Sequence, residues 1–299
     1  MKIILLGAHG QLGKELGRQL AKIGNIFAFS RSELDITNYQ SLRNVVCETL
    51  PDLIVNAAAY SAVDQAETDP TQANDVNAKA LKNIAKIAKE QNIWLIHYST
   101  EYVFDGKKSK PYLETDKANP LNVYGASKLA GEQAIEKINC RHLIFRISGL
   151  IGKDGNNFAK SILKLAIERE KIYVASDQVG VPTSALLVSK VTVDAIQAIK
   201  SGNKWEQGIY HLAPHGISSW YEVAQTLLKH AEFRNVLIRA KASDVEPILS
   251  SEYPAVAVRP VNSLLETRKL RGKLSFVLPH WKDDFISVAT EIIEELGLS

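Results

Sequence analysis

Residues 2–13 read Lys2-Ile-Ile-Leu-Leu-Gly-Ala-His-Gly-Gln-Leu-Gly13, an apolar run of strand length that leads directly into Gly-x-x-Gly-x-x-Gly. A helical pattern begins at about Gln11. Glycines at this spacing tighten the first turn and let the backbone approach a pyrophosphate, while the helix N-terminus attracts the phosphates. Between a first strand and a first helix, the motif therefore predicts dinucleotide binding. The predicted contacts in this loop are Gly7, His9, Gly10, Gln11, Leu12 and Gly13.

Apolar strand-like runs alternate with helical patterns through the first half of the chain. The predicted strands are Ile3 to Leu6, Ile26 to Phe29, Leu53 to Asn56, Trp94 to Tyr98 and His142 to Arg146. The predicted helices are Gln11 to Ile23, Tyr39 to Leu50, Thr71 to Gln91 and Asn122 to Ile138. Alternation at this spacing is typical of an α/β fold with a Rossmann-like, doubly wound parallel sheet.

The regular alternation loosens after about Gly149. We therefore expect residues 1–149 to form an NAD(P)-binding Rossmann domain and residues 150–299 to form mainly a smaller α/β substrate-binding domain. Helical patterns in the second half cover Asn157 to Glu168, Ala185 to Ile199, Trp220 to Ala231 and Trp281 to Leu296.

A candidate proton donor lies in Asn122-Val-Tyr-Gly-Ala-Ser-Lys128. Tyr124 and Lys128 are four residues apart, so on a helix they share one face. A nearby ammonium lowers the pKa of a phenol from its usual value near ~10, which makes tyrosine a better general acid. Such a pair can also be two solvated residues. It gains weight from Ser99 and Thr100, which end an apolar strand where open parallel sheets bind ligands.

Four motifs together carry a resemblance to a known family. They are Gly7 to Gly13, Asn56-Ala-Ala-Ala-Tyr60, Ser99-Thr-Glu-Tyr-Val-Phe-Asp-Gly106 and Tyr124 to Lys128. In them the chain resembles the extended short-chain dehydrogenase/reductases. Within that superfamily it is similar to the dTDP-4-dehydrorhamnose reductase family, also through Asp177-Gln-Val-Gly-Val-Pro-Thr183 and Arg259-Pro-Val-Asn-Ser-Leu-Leu-Glu-Thr267. The likeness spans essentially the whole chain.

The resemblance implies NAD(P)H-dependent reduction of the 4-keto group of a nucleotide-activated deoxysugar, with dTDP-4-dehydro-L-rhamnose becoming dTDP-L-rhamnose in dTDP-rhamnose biosynthesis. Tyr124 would protonate the developing alkoxide. Lys128 would lower the pKa of Tyr124 and hold the nicotinamide ribose, and Thr100 would bind the carbonyl oxygen. Later segments would thread back into the first domain. Further cofactor contacts would be Asp35, Ile36, Ala57, Ala58, Ala59, Tyr60 and Ser99. Further sugar contacts would be Glu101, Tyr102, Gly149, Asn157 and Arg259.

Arg31 bears on the choice of cofactor because it follows the second strand, where the adenosine ribose should lie. An acidic residue there holds the 2′-hydroxyl of NAD, whereas an arginine accommodates the 2′-phosphate of NADP. We therefore expect NADPH. Glu33 and Asp35 lie close enough in sequence to leave NADH open.

Two positions depart from the pattern of the family. Gly149 stands where rhamnose-pathway reductases commonly have tryptophan, which leaves open a reductase or epimerase of another nucleotide sugar. A non-catalytic, NADP-binding regulatory subunit like the beta subunit of methionine adenosyltransferase is a further alternative. Some members bridge a dimer through Mg²⁺, and Glu15 matches one ligand. Because Leu186 and Lys190 stand where its partner carboxylates would be wanted, we expect no metal.

Composition limits the remaining possibilities. The chain has 299 residues, a formal net charge of +3 and two cysteines without metal-ligand spacing. So small a charge gives no reason to expect a nucleic-acid partner. Because the sequence shows no secretory signal and no apolar run of membrane-spanning length, we expect a cytoplasmic protein that acts as a monomer or homodimer without a membrane contact.

Overall fold

The computed structural model describes residues 1–202, 205–252 and 254–298. Its strands are β1 (Lys2–Leu6), β2 (Asn25–Phe29), β3 (Leu53–Asn56), β4 (Trp94–Thr100), β5 (His142–Ile147), β6 (Leu150–Ile151), β7 (Ile172–Ala175), β8 (Val179–Gly180), β9 (Thr183–Ser184), β10 (Gly208–Leu212), β11 (Ser218–Ser219) and β12 (Val245–Ile248). Its α-helices are α1 (Gln11–Leu20), α2 (Tyr39–Thr49), α3 (Val63–Thr68), α4 (Pro70–Asn74), α5 (Ala80–Glu90), α6 (Val123–Ile138), α7 (Phe158–Glu168), α8 (Ala185–Lys200), α9 (Trp220–Phe233), α10 (Arg268–Arg271) and α11 (Trp281–Glu295).

The central sheet has the strand order β10-β5-β4-β3-β1-β2, and every pairing in it is parallel. The five strands predicted from the sequence are confirmed. The sixth, β10, comes from the second half of the chain and pairs with β5. Since β1 lies between β2 and β3, the strand order reverses there, and a crevice opens beyond the carboxyl ends of these strands. The Rossmann-like, doubly wound prediction is confirmed.

Helices cover both faces of this sheet. Along β1, Ile3 and Leu5 face a core that includes α1 and α8, whereas Ile4 and Leu6 face a core that includes α2, α5 and Ile135 of α6. All four β1 side chains are fully buried. A parallel sheet buried on both sides needs continuous apolar strands, which explains why these runs carry little alternation.

The helix predicted from Thr71 to Gln91 is interrupted. A π-helical segment, Asp75–Lys79, separates α4 from α5. Within it the buried Asn77 side chain accepts a hydrogen bond from Tyr60 N at 2.9 Å and donates to Tyr60 O at 3.0 Å and to Ser127 Oγ at 2.9 Å. Bulges of this type often occur at functional sites. This one ties the loop after β3 to α6, which carries Tyr124.

The second half builds a core of its own around α7, α9 and α11. Trp281 and Phe285 of α11 are fully buried in it, together with Leu227 and Leu228 of α9. The four helices predicted in this half are confirmed within a few residues at each end. Its strands form short two-stranded pairs, of which β6 with β9 lies next to the end of β5.

Candidate active site

The glycine loop between β1 and α1 is compact. Gly7 has a φ of +77°, and the N–H groups of Gly7 and Ala8 both donate to Phe29 O, at 2.9 and 3.0 Å. A Cβ on Gly13 would lie 2.0 Å from Gly7 O, so only glycine allows this contact between helix and strand. Gly10 is the N-cap of α1 and provides no capping side chain. The N–H groups of the first helical turn therefore remain available to an anion.

A cleft of about 580 Å³ opens beside this loop, at the reversal of the strand order. It brings together residues from the loops after β1, β2 and β3 and from α4, as the sequence predicts for a dinucleotide site. Among the predicted cofactor residues, those lining it are Gly7, His9, Gly10, Arg31, Asp35, Ile36, Ala57, Ala58, Ala59 and Tyr60. Leu12 is different, because its side chain is buried in the core under the sheet.

Arg31 and Asp35 lie together at one end of the cleft. The guanidinium donates to the Gln72 amide at 2.9 Å when the amide oxygen faces it. Asp35 Oδ1 accepts from the N–H and hydroxyl of Thr37, at 2.9 and 2.8 Å. These bonds, with a smaller effect from Arg31, lower the pKa of Asp35. A cation suited to a phosphate and an anion suited to a hydroxyl thus both line the predicted ribose end.

Two predicted cofactor residues carry buried hydroxyls that lack a hydrogen-bond partner among the described residues. They are Tyr60 Oη and Ser99 Oγ. Buried polar groups are almost always paired, so the unpaired hydroxyl of Tyr60, which lines the cleft, favours a polar ligand. Together with the open helix N-terminus and the cation at the far end, the residues present fit a phosphorylated dinucleotide.

Thr100 and Glu101 form a buried polar pair where β4 ends. The Thr100 hydroxyl donates to Glu101 Oε2 at 2.8 Å, and Glu101 Oε1 accepts from Gly149 N at 3.2 Å. Only 6% of Glu101 is exposed. Burial raises the pKa of its carboxyl to about 7, against the opposing effect of these hydrogen bonds. An acid that can change its charge near neutral pH therefore touches the predicted substrate-binding threonine.

Tyr124 lies in the first turn of α6. Asn122 caps the helix by accepting from Gly125 N at 2.7 Å, and Tyr102 packs edge-on against the Tyr124 ring with centroids 5.9 Å apart. Burial raises the pKa of Tyr124, the negative charge of Glu101 raises it further, and a hydrogen bond with Thr100 opposes both. The structure therefore brings Thr100, Tyr124 and Glu101 together at one point.

Lys128 is oriented differently from the prediction. Its ammonium donates to Tyr98 O at 2.6 Å and lies 3.3 Å from His97 Nε2. Only 2% of the residue is exposed, and burial lowers its pKa to about 8. We expected Lys128 to lower the pKa of Tyr124; in the structure that pKa is raised, because burial of the phenol and the charge of Glu101 dominate. Lys128 is held one helical turn behind the tyrosine.

Tyr102, which packs against the Tyr124 ring, is held by Arg259. The Arg259 guanidinium donates to both carboxylate oxygens of Asp64, at 3.1 and 2.7 Å, and to Ala257 O at 3.1 Å. It also hydrogen-bonds to Tyr102, whose pKa burial raises to about 12. Arg259 thus positions the predicted sugar-contacting tyrosine.

The side chain of Asn157 is used elsewhere. Its Nδ2 donates to Gln11 Oε1 at 2.8 Å and to Gly152 O at 2.6 Å, and its Oδ1 caps α7 by accepting from Lys160 N at 3.1 Å. These bonds use both donors of the amide, so the geometry does not support the predicted sugar contact. Gln11, whose Nε2 donates to Leu150 O at 3.1 Å, likewise joins the two halves of the chain.

Glu15, which matches a metal ligand of some family members, forms an ion pair with Arg18. Its Oε2 accepts from Arg18 Nη2 and Nε, at 2.6 and 2.9 Å, and its Oε1 accepts from Gln19 at 2.7 Å. Arg18 also pairs with Asp154 at 2.8 Å. The expectation of no structural Mg²⁺ stays a prediction.

Sequence reasoning missed two residues that organise the site. Asn77 links the loop after β3 to α6, and its only signal was a polar residue within an apolar helical pattern. The other is His97 of β4, a buried histidine whose Nδ1 lies 3.2 Å from Asn56 Nδ2 and whose other nitrogen contacts Lys128. Burial and the neighbouring charge keep its pKa well below the usual value.

A parallel sheet with a glycine loop at its reversal, and with Thr100, Tyr124 and Lys128 around the end of β4, is the arrangement of an extended short-chain dehydrogenase/reductase. The chain belongs to the RmlD substrate binding domain family, whose model matches residues 1–293. It is 43% identical over 287 residues to dTDP-4-dehydrorhamnose reductase of Escherichia coli (strain K12), covering 94% of this chain and 95% of that protein.

Two further similarities extend this result. The chain is 42% identical to dTDP-4-dehydrorhamnose reductase of Salmonella typhimurium, with 98% of each chain covered. It superposes with a TM-score of 0.88 on the crystal structure of dTDP-4-dehydrorhamnose reductase from Bacillus anthracis in complex with NADP, at 34% identity, covering 97% of this chain and 99% of that chain. Fold and family are therefore established together.

Proposed function

We propose that this chain is an NADPH-dependent reductase that converts dTDP-4-dehydro-L-rhamnose to dTDP-L-rhamnose. The observation that carries the proposal is the meeting of Thr100 and Tyr124 at the end of β4, with Lys128 buried behind them, beside a glycine-loop cleft that fits a dinucleotide. Relatives that match over nearly the whole chain have this activity by name, and one was solved with NADP.

The reduced nicotinamide would supply a hydride to the keto carbon. Tyr124 would give its phenolic proton to the oxygen that becomes the hydroxyl. Thr100 would turn its hydroxyl proton from Glu101 to the same oxygen and fix its position. The raised pKa of Tyr124 keeps the phenol protonated before reaction, so the donor is ready throughout the neutral range. Lys128, buried one helical turn behind the tyrosine, would hold the nicotinamide ribose.

NADPH is the proposed cofactor because Arg31 lines the end of the cleft where the adenosine ribose would lie. Asp35 on the same wall favours a free 2′-hydroxyl and keeps some use of NADH. The Arg31 guanidinium would hold a 2′-phosphate through charge-assisted hydrogen bonds.

The decisive experiment offers the purified chain dTDP-4-dehydro-L-rhamnose with NADPH or NADH. Oxidation of the nicotinamide is followed by absorbance, and the product is identified by NMR. We expect dTDP-L-rhamnose to form. Stoichiometric product from a different 4-keto sugar, with none from this one, would reassign the sugar. Tight NADPH binding without turnover of any keto sugar would favour the regulatory-subunit alternative.

The proposed location and assembly follow from the sequence and the reaction. In the described parts of the chain, no helix has the length and apolar character needed to cross a bilayer. Action in the cytoplasm, and a monomeric or homodimeric state without nucleic-acid or membrane partners, are proposed on the strength of the sequence and the biosynthetic reaction.

A further inference from the structure

Gly149 lies in the crevice beyond the carboxyl end of β5. Its N–H donates to Glu101 Oε1, and Glu101 in turn binds the Thr100 hydroxyl. Its C=O accepts from Thr183 N at 3.0 Å, so both sides of the residue are fixed. The backbone has a φ of +52°, a left-handed conformation that favours glycine. Gly149 is thus two hydrogen bonds from the predicted reacting centre.

An aromatic ring from the second half of the chain lies directly over this glycine. A Cβ built on Gly149 would lie 2.8 Å from Cη2 and 3.3 Å from Cζ2 of Trp220. Trp220 begins α9, is half-buried, and is supported by Phe158, with ring centroids 4.7 Å apart. The edge of the indole therefore occupies the space in which a side chain at position 149 would begin.

We propose that Trp220 provides the aromatic wall of the sugar pocket, in the place of a side chain at position 149. The inference rests on the proposed function, because its ligand is the hexose of a dTDP-linked sugar. Aromatic rings pack against the apolar C–H face of a sugar, and pockets of this kind combine such walls with a few polar groups. Here the polar groups are Thr100 and Glu101, which are joined to Gly149 through the bond from its N–H to Glu101.

The inference changes the interpretation of the glycine. From the sequence, glycine in place of the common tryptophan left the identity of the sugar open. In the structure, any Cβ at this position would push the Trp220 ring away. Val181 O would lie 3.0 Å from the same Cβ, so the side chain could not avoid the ring by shifting toward Val181. Glycine at 149 and tryptophan at 220 therefore form one steric unit, and sugar selection depends on Trp220.

The test compares binding of dTDP-L-rhamnose with binding of dTDP, which lacks the sugar, to the full chain by calorimetry. Trp220→Leu should weaken the binding of dTDP-L-rhamnose by about 3- to 10-fold, which is the range of an aromatic contact. The affinities for dTDP and NADPH should stay the same. Trp220→Phe should recover part of the loss. Tyr221→Leu is the matched control, because Tyr221 is the next residue of α9 and packs against the same core of the second half.

A double-mutant cycle tests whether Gly149 affects sugar binding through the Trp220 ring. Gly149→Ala should weaken dTDP-L-rhamnose in the wild-type background by displacing the indole, and should add little in the Trp220→Leu background, where no ring remains to be displaced. The backbone strain of alanine is common to both backgrounds and cancels. In addition, dTDP-L-rhamnose should change tryptophan fluorescence in the wild type, and Trp220→Phe should remove that change.

Several outcomes would overturn the inference. One is that Trp220→Leu weakens the binding of dTDP and of dTDP-L-rhamnose equally. Another is that Tyr221→Leu weakens the binding of dTDP-L-rhamnose as much as Trp220→Leu does. The third is that the effects of Gly149→Ala and Trp220→Leu on the binding free energy are additive. If the wild type neither binds dTDP-L-rhamnose nor turns over the keto sugar, the proposed function fails, and this inference fails with it. If turnover is normal and only the Trp220 effects are absent, the proposed function stands and this inference alone is wrong.

Discussion

The Thr100 hydroxyl donates to Glu101 across 2.8 Å, so the residue expected to hold the substrate oxygen is bonded to a buried acid whose pKa is about 7. Because the charge of Glu101 raises the pKa of Tyr124, the strength of the proton donor depends on the ionisation of its neighbour. The Glu101 carboxylate also accepts from Gly149 N.

Glu101→Gln should alter the pH dependence of turnover. In the wild type, Glu101 becomes charged as pH rises through about 7, Tyr124 becomes a weaker acid, and kcat should fall. Glutamine keeps an oxygen for Thr100 but cannot ionise, so this decline should flatten. The measurement is kcat against pH from 5.5 to 9, roughly the range that brackets this pKa. An unchanged decline would assign it to another group.

The same substitution should change the pH dependence of stability. The pKa of Glu101 is higher in the folded chain than its ordinary value, so its protonation stabilises the fold most below the ordinary pKa, and this stabilisation is lost as pH rises through about 7. Glu101→Gln should therefore reduce the decrease in unfolding free energy over that range. Urea unfolding at several pH values checks this, with the wild-type chain at the same pH values as the reference.

Tyr124→Phe should retain dinucleotide binding and lose most turnover. General acid catalysis is worth about 10²- to 10⁴-fold in rate, and phenylalanine keeps the ring that packs against Tyr102. Steady-state kinetics give the loss, and NADPH titration confirms that the cleft is intact. Wild-type turnover in this variant would show that another group donates the proton.

Arg31→Ala should change the preference for NADPH over NADH without impairing the reduction step. Removing the guanidinium takes away a charge-assisted contact to the 2′-phosphate, so kcat/KM with NADPH should fall by about 10-fold while that with NADH changes little. Lys14→Ala, which removes a half-exposed cation from α1, serves as the charge-matched control. If the ratio of the two values is the same as in wild type, the 2′-phosphate is bound elsewhere.

Two glycines inside helices should respond in opposite ways to alanine. A Cβ on Gly131 would lie 2.1 Å from Asn77 O in the π-helical segment, so Gly131→Ala should destabilise the fold by about 3 kcal/mol. A Cβ on Gly17 of α1 would meet only Leu5 Cδ2, at 3.8 Å, so Gly17→Ala should stabilise by about 0.5–1 kcal/mol. Thermal unfolding measures both. Equal effects would contradict the close approach of α6 to Asn77.

The fold was largely predictable because its signals are local. The apolar run before Gly7 and the helical pattern after Gly10 depend on neighbours in sequence, and they specify a strand, a turn and a helix. By contrast, β10 depends on pairing with β5, which is far away in the chain. The π-helical segment was missed for a similar reason, since tertiary bonds from Asn77 to Tyr60 and Ser127 maintain it.

The sequence predicted which residues form the site better than it predicted where their side chains point. Thr100 and Tyr124 could be placed together from strand ends and helix faces. The spacing of Tyr124 and Lys128 could not show that the ammonium donates to Tyr98 O, a backbone group of the neighbouring strand. Nor could sequence show that Asn157 bonds to Gln11, or that Trp220 lies over Gly149, because these contacts join segments more than 65 residues apart.

The bond between Gln11 and Asn157 has a consequence for how the two halves respond to each other. Gln11 is the first residue of the helix that faces the predicted phosphates, and Asn157 is the N-cap of the first helix of the other half. A shift of α1 toward a bound anion would therefore pull on the start of α7, on the far side of the crevice. Amide hydrogen exchange in the first turn of α7 should slow when NADPH binds, although α7 itself never touches the cofactor cleft.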